Sequence, residues 1–352
     1  MIQETDAVTT HLTEASFLSP IEHPLQQVRA ALREFSQGFH ESVRPLVEQG
    51  ALDCGKLLRP ALLLLSGGIH GAIVEDHIHA AVILEMIHNA TLLHDDVLDQ
   101  GCIRRGVPTV NRRWNNRVAV RFGDVLLGKV LEWSACLQPG LRATFSRMVR
   151  QTCDGEIRQT VRAGDFTLTE QEYLAIVGQK TAALFAGACY IGAHLANAPA
   201  AECRAAGRFG YHAGMAYQIV DDLLDIAGDG KTLHKTLGTD LRSAKLTLPW
   251  IHALRVRAEP QKSSLSSALK TQSLTKPEML HLLAIGGSMD YVLVRIGSYA
   301  SRAVETLRNV GPGPMQAALL EVPKSIVRDA VEGSADGLSL AVSQHRVSTA
   351  WR

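Results

Sequence analysis

A chain of 352 residues can bury a large core, and with 46% apolar and 20% charged residues it has the composition of a soluble globular protein. A net charge of +1 gives no field that would gather nucleic acid, so any anion recognition must come from local clusters. Six cysteines, at 54, 102, 136, 153, 189 and 203, form no CxxC pair and no regular spacing, and read as reduced, mostly buried thiols.

Residues 1–22 lack the basic start and apolar core of a secretory signal and read as a mobile arm, so an intracellular, cytoplasmic location is expected. A helical domain then covers 23–332, with periodicity from Leu25 through Val28, Leu32 and Phe35. In GKLLRP (55–60), Lys56 and Arg59 stand three apart at the entrance of an apolar helix, with Pro60 suited to its first turn. A snorkelling basic pair would look the same.

The stretch 84–106, LEMIHNATLLHDDVLDQGCIRRG, opens as an apolar helix and ends in acids followed by arginines. Asp95 and Asp99, at i and i+4, project from one face one turn apart, whereas Asp96 points elsewhere. Two acids so close repel unless a cation lies between them, and Mg²⁺, a hard ion wanting oxygen ligands, suits the pair. His88 lies on the same side two turns back, where a satisfied core histidine is the plainer reading. Arg104 and Arg105 offer planar forks for phosphate oxygens. The arginines at 112, 113, 117 and 121 read as a solvated helix face.

After a break at LQPG (137–140), helices resume through GEIRQ (155–159), in which Glu156 and Gln159 read as supporting or packing residues. Lys180 and Thr181 precede a charge-free, Ala- and Gly-rich run to Ala201, read as a buried helix and not a membrane span. GMAYQIVDDLLDIAGD (214–229) then repeats the acidic pattern with Asp221, Asp222 and Asp225. Duplicated acid triads at the ends of core-like helices point to one shared ligand between them. A polar loop follows with Lys235, Asp240 and Lys245, beside the second acid cluster. Residues 258–277 read as a mobile polar connection, 289–307 as helix, and 333–352 as an unassigned tail. No strand alternation and no long repeat is present, which gives an all-α fold.

Taken together, GKLLRP, the two aspartate motifs, RRG (104–106), GEIRQ, KTAALF (180–185) and KTLGTDLRSAKLTLP (235–249) resemble the trans-isoprenyl diphosphate synthase (polyprenyl synthetase) family over about residues 25–330. The resemblance implies a single large helical bundle of the isoprenoid synthase type around a deep central cavity, paired as a homodimer. It implies a prenyltransferase that joins an allylic diphosphate (geranyl, farnesyl or geranylgeranyl) to isopentenyl diphosphate by Mg²⁺-assisted ionisation, condensation and elimination, with three ions per site. Asp95, Asp99 and Asp221 would be direct ligands, with Asp222 and Asp225 behind them or acting through water. Lys56, Arg59 and Arg105 would hold isopentenyl diphosphate, and Arg104, Lys180 and Lys235 the allylic diphosphate. His88 would be a diphosphate donor and Lys245 part of a lid over the site. Thr181 and Gln218 would turn oxygen dipoles toward the allyl cation.

Chain length depends on what lies below the first aspartates. Successive turns down the helix, each about 5.4 Å and roughly one isoprene unit, offer Thr91, Ile87 and Leu84. In the family, bulky aromatics four or five residues before the first aspartate stop growth early. Ala90 and Thr91 stand there in this chain, so an open floor and a product of about C30 or longer are expected. A short-chain farnesyl or geranylgeranyl diphosphate synthase is the nearest alternative. A His-Asp metal phosphohydrolase would use His88, His94 and Asp95 but leave the second acid cluster unexplained. A terpene cyclase would carry an Asn/Ser/Glu pattern where DDLLD stands, and a non-catalytic subunit would commonly have lost one motif.

Overall fold

In a computed structural model, residues 17–37, 39–41, 44–50, 55–228, 236–308 and 310–334 are described. The tail beyond 334, most of the 1–22 arm, and Lys235 lie outside them. Sixteen helices run in chain order: α1 (Glu22–Gln37), α2 (Arg44–Gly50), α3 (Leu58–Gly68), α4 (Glu75–Leu98), α5 (Val110–Arg113), α6 (Asn116–Ser134), α7 (Pro139–Val161), α8 (Glu170–Val177), α9 (Ala183–Leu195), α10 (Ala200–Ala227), α11 (Thr239–Arg242), α12 (Leu248–Val256), α13 (Gln261–Lys270), α14 (Lys276–Ile285), α15 (Ser288–Thr306) and α16 (Pro314–Gly333). A π turn, Gly178–Ala182, joins α8 to α9.

The all-α expectation holds, and burial explains the layering. Leu62 to Leu65 of α3 have no accessible surface, and most of α9 from Ala183 to Ala193 is buried. These helices pack on each other, and α10 covers α9 from the other side. The charge-free run is thus core, and the segment Glu170–Leu195, apolar enough to cross a membrane by length, is mostly buried in the bundle. Buried polar groups bind across the layers: Ser66 donates to the Cys189 carbonyl at 2.8 Å, and the His77 ring meets the Gly192 carbonyl at 3.2 Å. α4 lies against α6 and α3, and α10 against α15, so the two aspartate-bearing helices approach the same interior from different sides.

Three departures from the sequence reading have physical causes. Packing begins before Leu25, because Phe17 and Ile21 are already buried, so the end of the 1–22 arm belongs to the body. Residues 258–277 are not a bare connection: α13 forms there and anchors itself through buried Leu265 and Leu269, an i, i+4 pair on an otherwise polar helix. A minimal hairpin, β1 (Ile103–Arg104) with β2 (Val107–Pro108), is too short for alternation to show in sequence.

Candidate active site

The C-terminal turn of α4 brings the first acids to the mouth of the bundle. Asp96, dismissed by its direction on the helix, is buried and has a partner of its own. Arg104 donates to it through Nε at 2.9 and 3.1 Å and lies 2.8 Å away through Nη2. The hairpin makes this possible: Arg105 (φ 53°) and Gly106 (φ 76°) both take the left-handed conformation, the pairing that a two-residue turn of a tight hairpin requires. Thr109 and Asn111 pin its return, donating to the Gly101 carbonyl at 2.7 and 3.2 Å and, from Asn111, to the Asp96 carbonyl at 3.0 Å. Burial pushes the Asp96 carboxyl up while Arg104 pulls it down. Burial opposes the Arg104 charge, yet Asp96, Asp95 and Asp221 together raise its pKa above the ordinary arginine value. One guanidinium thus feels both aspartate motifs, which places them across a common cavity.

Two lysines stand among these carboxylates. Lys180, on the π turn, lies 2.8 Å from Glu156 and 3.7 Å from Asp95, and donates to Gln159 at 3.0 Å. Although buried, its ammonium is held protonated by Asp95 and Glu156. Glu156 is lifted to about 7 by burial and by Asp95, against the pull of Lys180. GEIRQ is therefore the support of Lys180, and Gly155 in it permits the approach, since a Cβ there would sit 2.5 Å from the Lys180 backbone nitrogen. Lys245 reaches across from the loop segment and bonds Asp99.

On α10 the second motif divides its labour. Asp221 is half-buried at the cavity. Asp222 is buried and spends both oxygens on protein donors, Tyr173 Oη at 2.6 Å and Gln218 Nε2 at 2.7 Å. Asp225 accepts from the backbone of Thr239 at 3.3 Å and of Asp240 at 3.2 Å, so it caps the start of α11 and tethers the lid. Thr236 joins the lid to the hairpin through Ile103 N at 3.2 Å. Asp240 is half-buried, and desolvation together with Asp222, Asp225 and Asp221 raises its pKa well above the ordinary value, against the pull of Lys245. Thr181 donates to Gln218 Oε1 at 2.5 Å, so the two proposed dipoles touch.

The basic side of the cavity centres on Arg59, buried at the start of α3 and stacked 5.0 Å from the Phe185 ring. Its Nε is buried with no hydrogen-bond acceptor among the described residues. Burial lowers its pKa, and Glu85 works against that. Glu85, missed in the sequence, is a buried carboxyl under Arg59, Arg105 and Arg29; burial raises its pKa and these arginines lower it. His88 is pushed well below its usual value by burial and by Arg59, Arg105 and Arg104, which keeps the ring neutral beside three guanidiniums. Lys56 is exposed at the rim.

Below the acids, Thr91 is half-buried and donates to the His88 carbonyl at 2.8 Å. Ala90, Ile87 and Leu84 have no accessible surface. Of these four positions, only Thr91 keeps partial exposure.

Among the described residues no three His, Cys, Asp or Glu side chains form a ready metal cage. The donor set still fits Mg²⁺, which is held by one or two carboxylates together with substrate phosphates and not by an all-protein cage. Asp95, Asp99 and Asp221 are hard oxygen donors of that kind, two of them facing lysine ammoniums.

The polyprenyl synthetase family model matches residues 40–284. The geranylgeranyl diphosphate synthase of Sulfolobus acidocaldarius is 33% identical over 266 residues, 73% of this chain and 81% of that protein. The all-trans-nonaprenyl-diphosphate synthase (geranyl-diphosphate specific) of Rhodobacter capsulatus is 33% identical over 320 residues, covering 88% and 97%. A polyprenyl synthase from Caulobacter crescentus, solved with calcium and isoprenyl diphosphate, superposes with a TM-score of 0.82 at 28% identity, covering 89% of this chain and 97% of that one.

Proposed function

This chain belongs to the polyprenyl synthetase family and is a trans-prenyl diphosphate synthase, and we propose that its product is a linear all-trans chain of about C30 or longer. Its substrates are isopentenyl diphosphate and an allylic diphosphate. The allylic C–O bond breaks, and its electron pair leaves with the diphosphate. The isopentenyl double bond attacks the allyl cation, forming the new C–C bond. A proton then leaves the adjacent carbon for the departed diphosphate, so no side-chain base is needed.

The family uses Mg²⁺, and in our reading Asp95, Asp99 and Asp221 hold it, three ions to a site, to neutralise the charge of the departing diphosphate. Arg104, held by Asp96, and Lys180, held by Glu156 and Gln159, receive the allylic diphosphate together with Lys235. Arg59, Arg105 and Lys56 receive the isopentenyl diphosphate, and the neutral His88 donates between the two. The unpartnered Arg59 Nε supports this assignment most directly, because a buried guanidinium donor is costly unless an anion meets it. Lys245 and Asp225 hold the lid closed over the site and keep out water, which would quench the cation.

Product length is our own reading, since related enzymes named here make products as different as geranylgeranyl and nonaprenyl diphosphate. The absence of an aromatic at Ala90 and Thr91 supports the longer outcome. We also place the enzyme in the cytoplasm, and we read it as a homodimer, the pairing being supported by exposed Leu131 on α6 and Ile157 and Val161 on α7. Incubation with Mg²⁺, labelled isopentenyl diphosphate and geranyl, farnesyl or geranylgeranyl diphosphate tests the function. Chromatography of the dephosphorylated products should show chains of six or more isoprene units, and a product ending at C20 would refute the length.

A further inference from the structure

Tyr173, Asp222, Gln218 and Thr181 form an unbroken hydrogen-bond chain from α8 through α10 to the π turn. An amide side chain presents an acceptor at one end and a donor at the other, and its neighbours decide which end points where. Both Asp222 oxygens accept, one from Tyr173 and one from the Gln218 NH₂, which leaves the Gln218 oxygen facing Thr181. The single Thr181 hydroxyl proton is then spent on that oxygen. Tyr173, almost wholly buried, spends its own proton on the second Asp222 oxygen and closes the chain at its far end.

We propose that Tyr173 and Asp222 are positioning residues that fix the polarity of Gln218 and Thr181, so that the Gln218 oxygen and the lone pairs of the Thr181 hydroxyl, and not the threonine proton, are available to the allyl cation. This rests on the reading of Thr181 and Gln218 given above. A hydroxyl or amide proton turned the other way would repel the cation, whereas a wall of acceptors stabilises it as charge develops. Asp222 accordingly works through Gln218 and not as a metal ligand, which accounts for an acid buried behind Asp221 with both oxygens engaged.

The relay can be inverted on paper by one substitution and restored by a second. In Asp222→Asn, the new carbonyl accepts from Tyr173 and the new NH₂ faces Gln218, which must swing its oxygen round and turn its NH₂ to Thr181. The threonine proton is then released toward the cavity. In Asp222→Asn with Gln218→Glu, the same NH₂ meets a carboxylate, and Thr181 again has an acceptor for its proton. The net charge is unchanged by the pair.

Steady-state kinetics of the full-length enzyme with Mg²⁺ and both diphosphates tests this. Asp222→Asn should lower kcat about a hundredfold and Tyr173→Phe about tenfold, with KM for either substrate within about threefold of the parent. The double variant should recover at least about tenfold over Asp222→Asn alone. A double variant no faster than Asp222→Asn overturns the proposal, because a metal-ligand role for Asp222 predicts that result. A Tyr173→Phe enzyme with undiminished kcat overturns it as well, and this conservative change keeps the test valid should the others fold poorly. Absence of any chain elongation by the unaltered enzyme would instead remove the functional reading beneath it.

Discussion

Asp96 grips Arg104 with both oxygens, at 2.9 and 3.1 Å from Nε, eight residues further along the chain and on the far side of a turn. The adjacent acid, Asp95, meets Lys180 at 3.7 Å and otherwise faces the cavity. Neighbouring carboxylates therefore have separate tasks, one orienting an arginine and the other available to a metal. Asp96→Asn should keep one hydrogen bond to Arg104 and raise KM for the allylic substrate about tenfold, the effect of one weakened charge-assisted contact. Asp95→Asn should act on kcat, and by far more. Steady-state kinetics on the two variants checks the order, and equal losses would contradict the division.

Asp95→Ala or Asp221→Ala should abolish turnover, because each removes an oxygen donor from one side of the cavity. Both positions are half-buried and lie outside the apolar core, so the far-ultraviolet circular dichroism of either variant should match the parent. Residual activity within about tenfold of the parent would sink the metal assignment.

The basic residues should separate by substrate. Arg59→Ala, Arg105→Ala and Lys56→Ala should weaken isopentenyl diphosphate, and Lys180→Ala the allylic diphosphate. Each loss should be about 1.5 to 3 kcal/mol, roughly tenfold to a hundredfold in affinity. Arg59→Ala should be the largest of its group, because Arg59 is the buried one. Titrations with each diphosphate alone read the split directly.

Glu156 predicts a pH dependence with a definite sign. Its folded-state pKa of about 7 lies above its ordinary value of 4.5, so the folded chain binds more protons than the unfolded chain between those limits. Its contribution to stability is complete below pH 4.5 and is lost as the pH rises through 7. Glu156→Gln should flatten that part of the profile. Denaturant midpoints measured with chelator at pH 5 and pH 8 should differ less in the variant than in the parent.

Thr91 is partly exposed where Ala90 is not, so Thr91→Phe should shift products toward about C15 or C20 while total turnover is retained. Ala90→Phe should instead cost stability, since a ring placed at a site with no accessible surface overpacks the core. Product chromatography and thermal melts distinguish the two.

Charge and periodicity made most of this legible in the sequence. Asp95, Asp99 and Arg104 are chemically conspicuous at and just beyond the end of an apolar helix, Lys180 and Lys245 stand out only through the family resemblance, and the structure brings them together. What stayed hidden depended on partners distant in sequence. Glu85 looks like one polar residue on a long helix until Arg59, Arg105 and Arg29 close over it. Tyr173 lies in an ordinary amphipathic turn, and only the crossing of α8 and α10 gives it Asp222. The π turn that carries Lys180 leaves no periodic trace, being a single extra residue in the helical count. Asp96 does point away from Asp95 and Asp99, but the arginine it meets is delivered by a hairpin too short to show in the sequence.

The closed packing of Ala90, Ile87 and Leu84 bears on how such an enzyme measures length. A rigid floor acts as a ruler, allowing every unit until one collides. Here a tail growing beyond Thr91 has to push aside aliphatic side chains that already touch, so each unit works against an elastic resistance while gaining contacts of its own. The limit is then a balance of energies, reached gradually, and thermal loosening of the core moves it. The products should form a distribution and not a single species, and its mean should lengthen as the reaction is warmed.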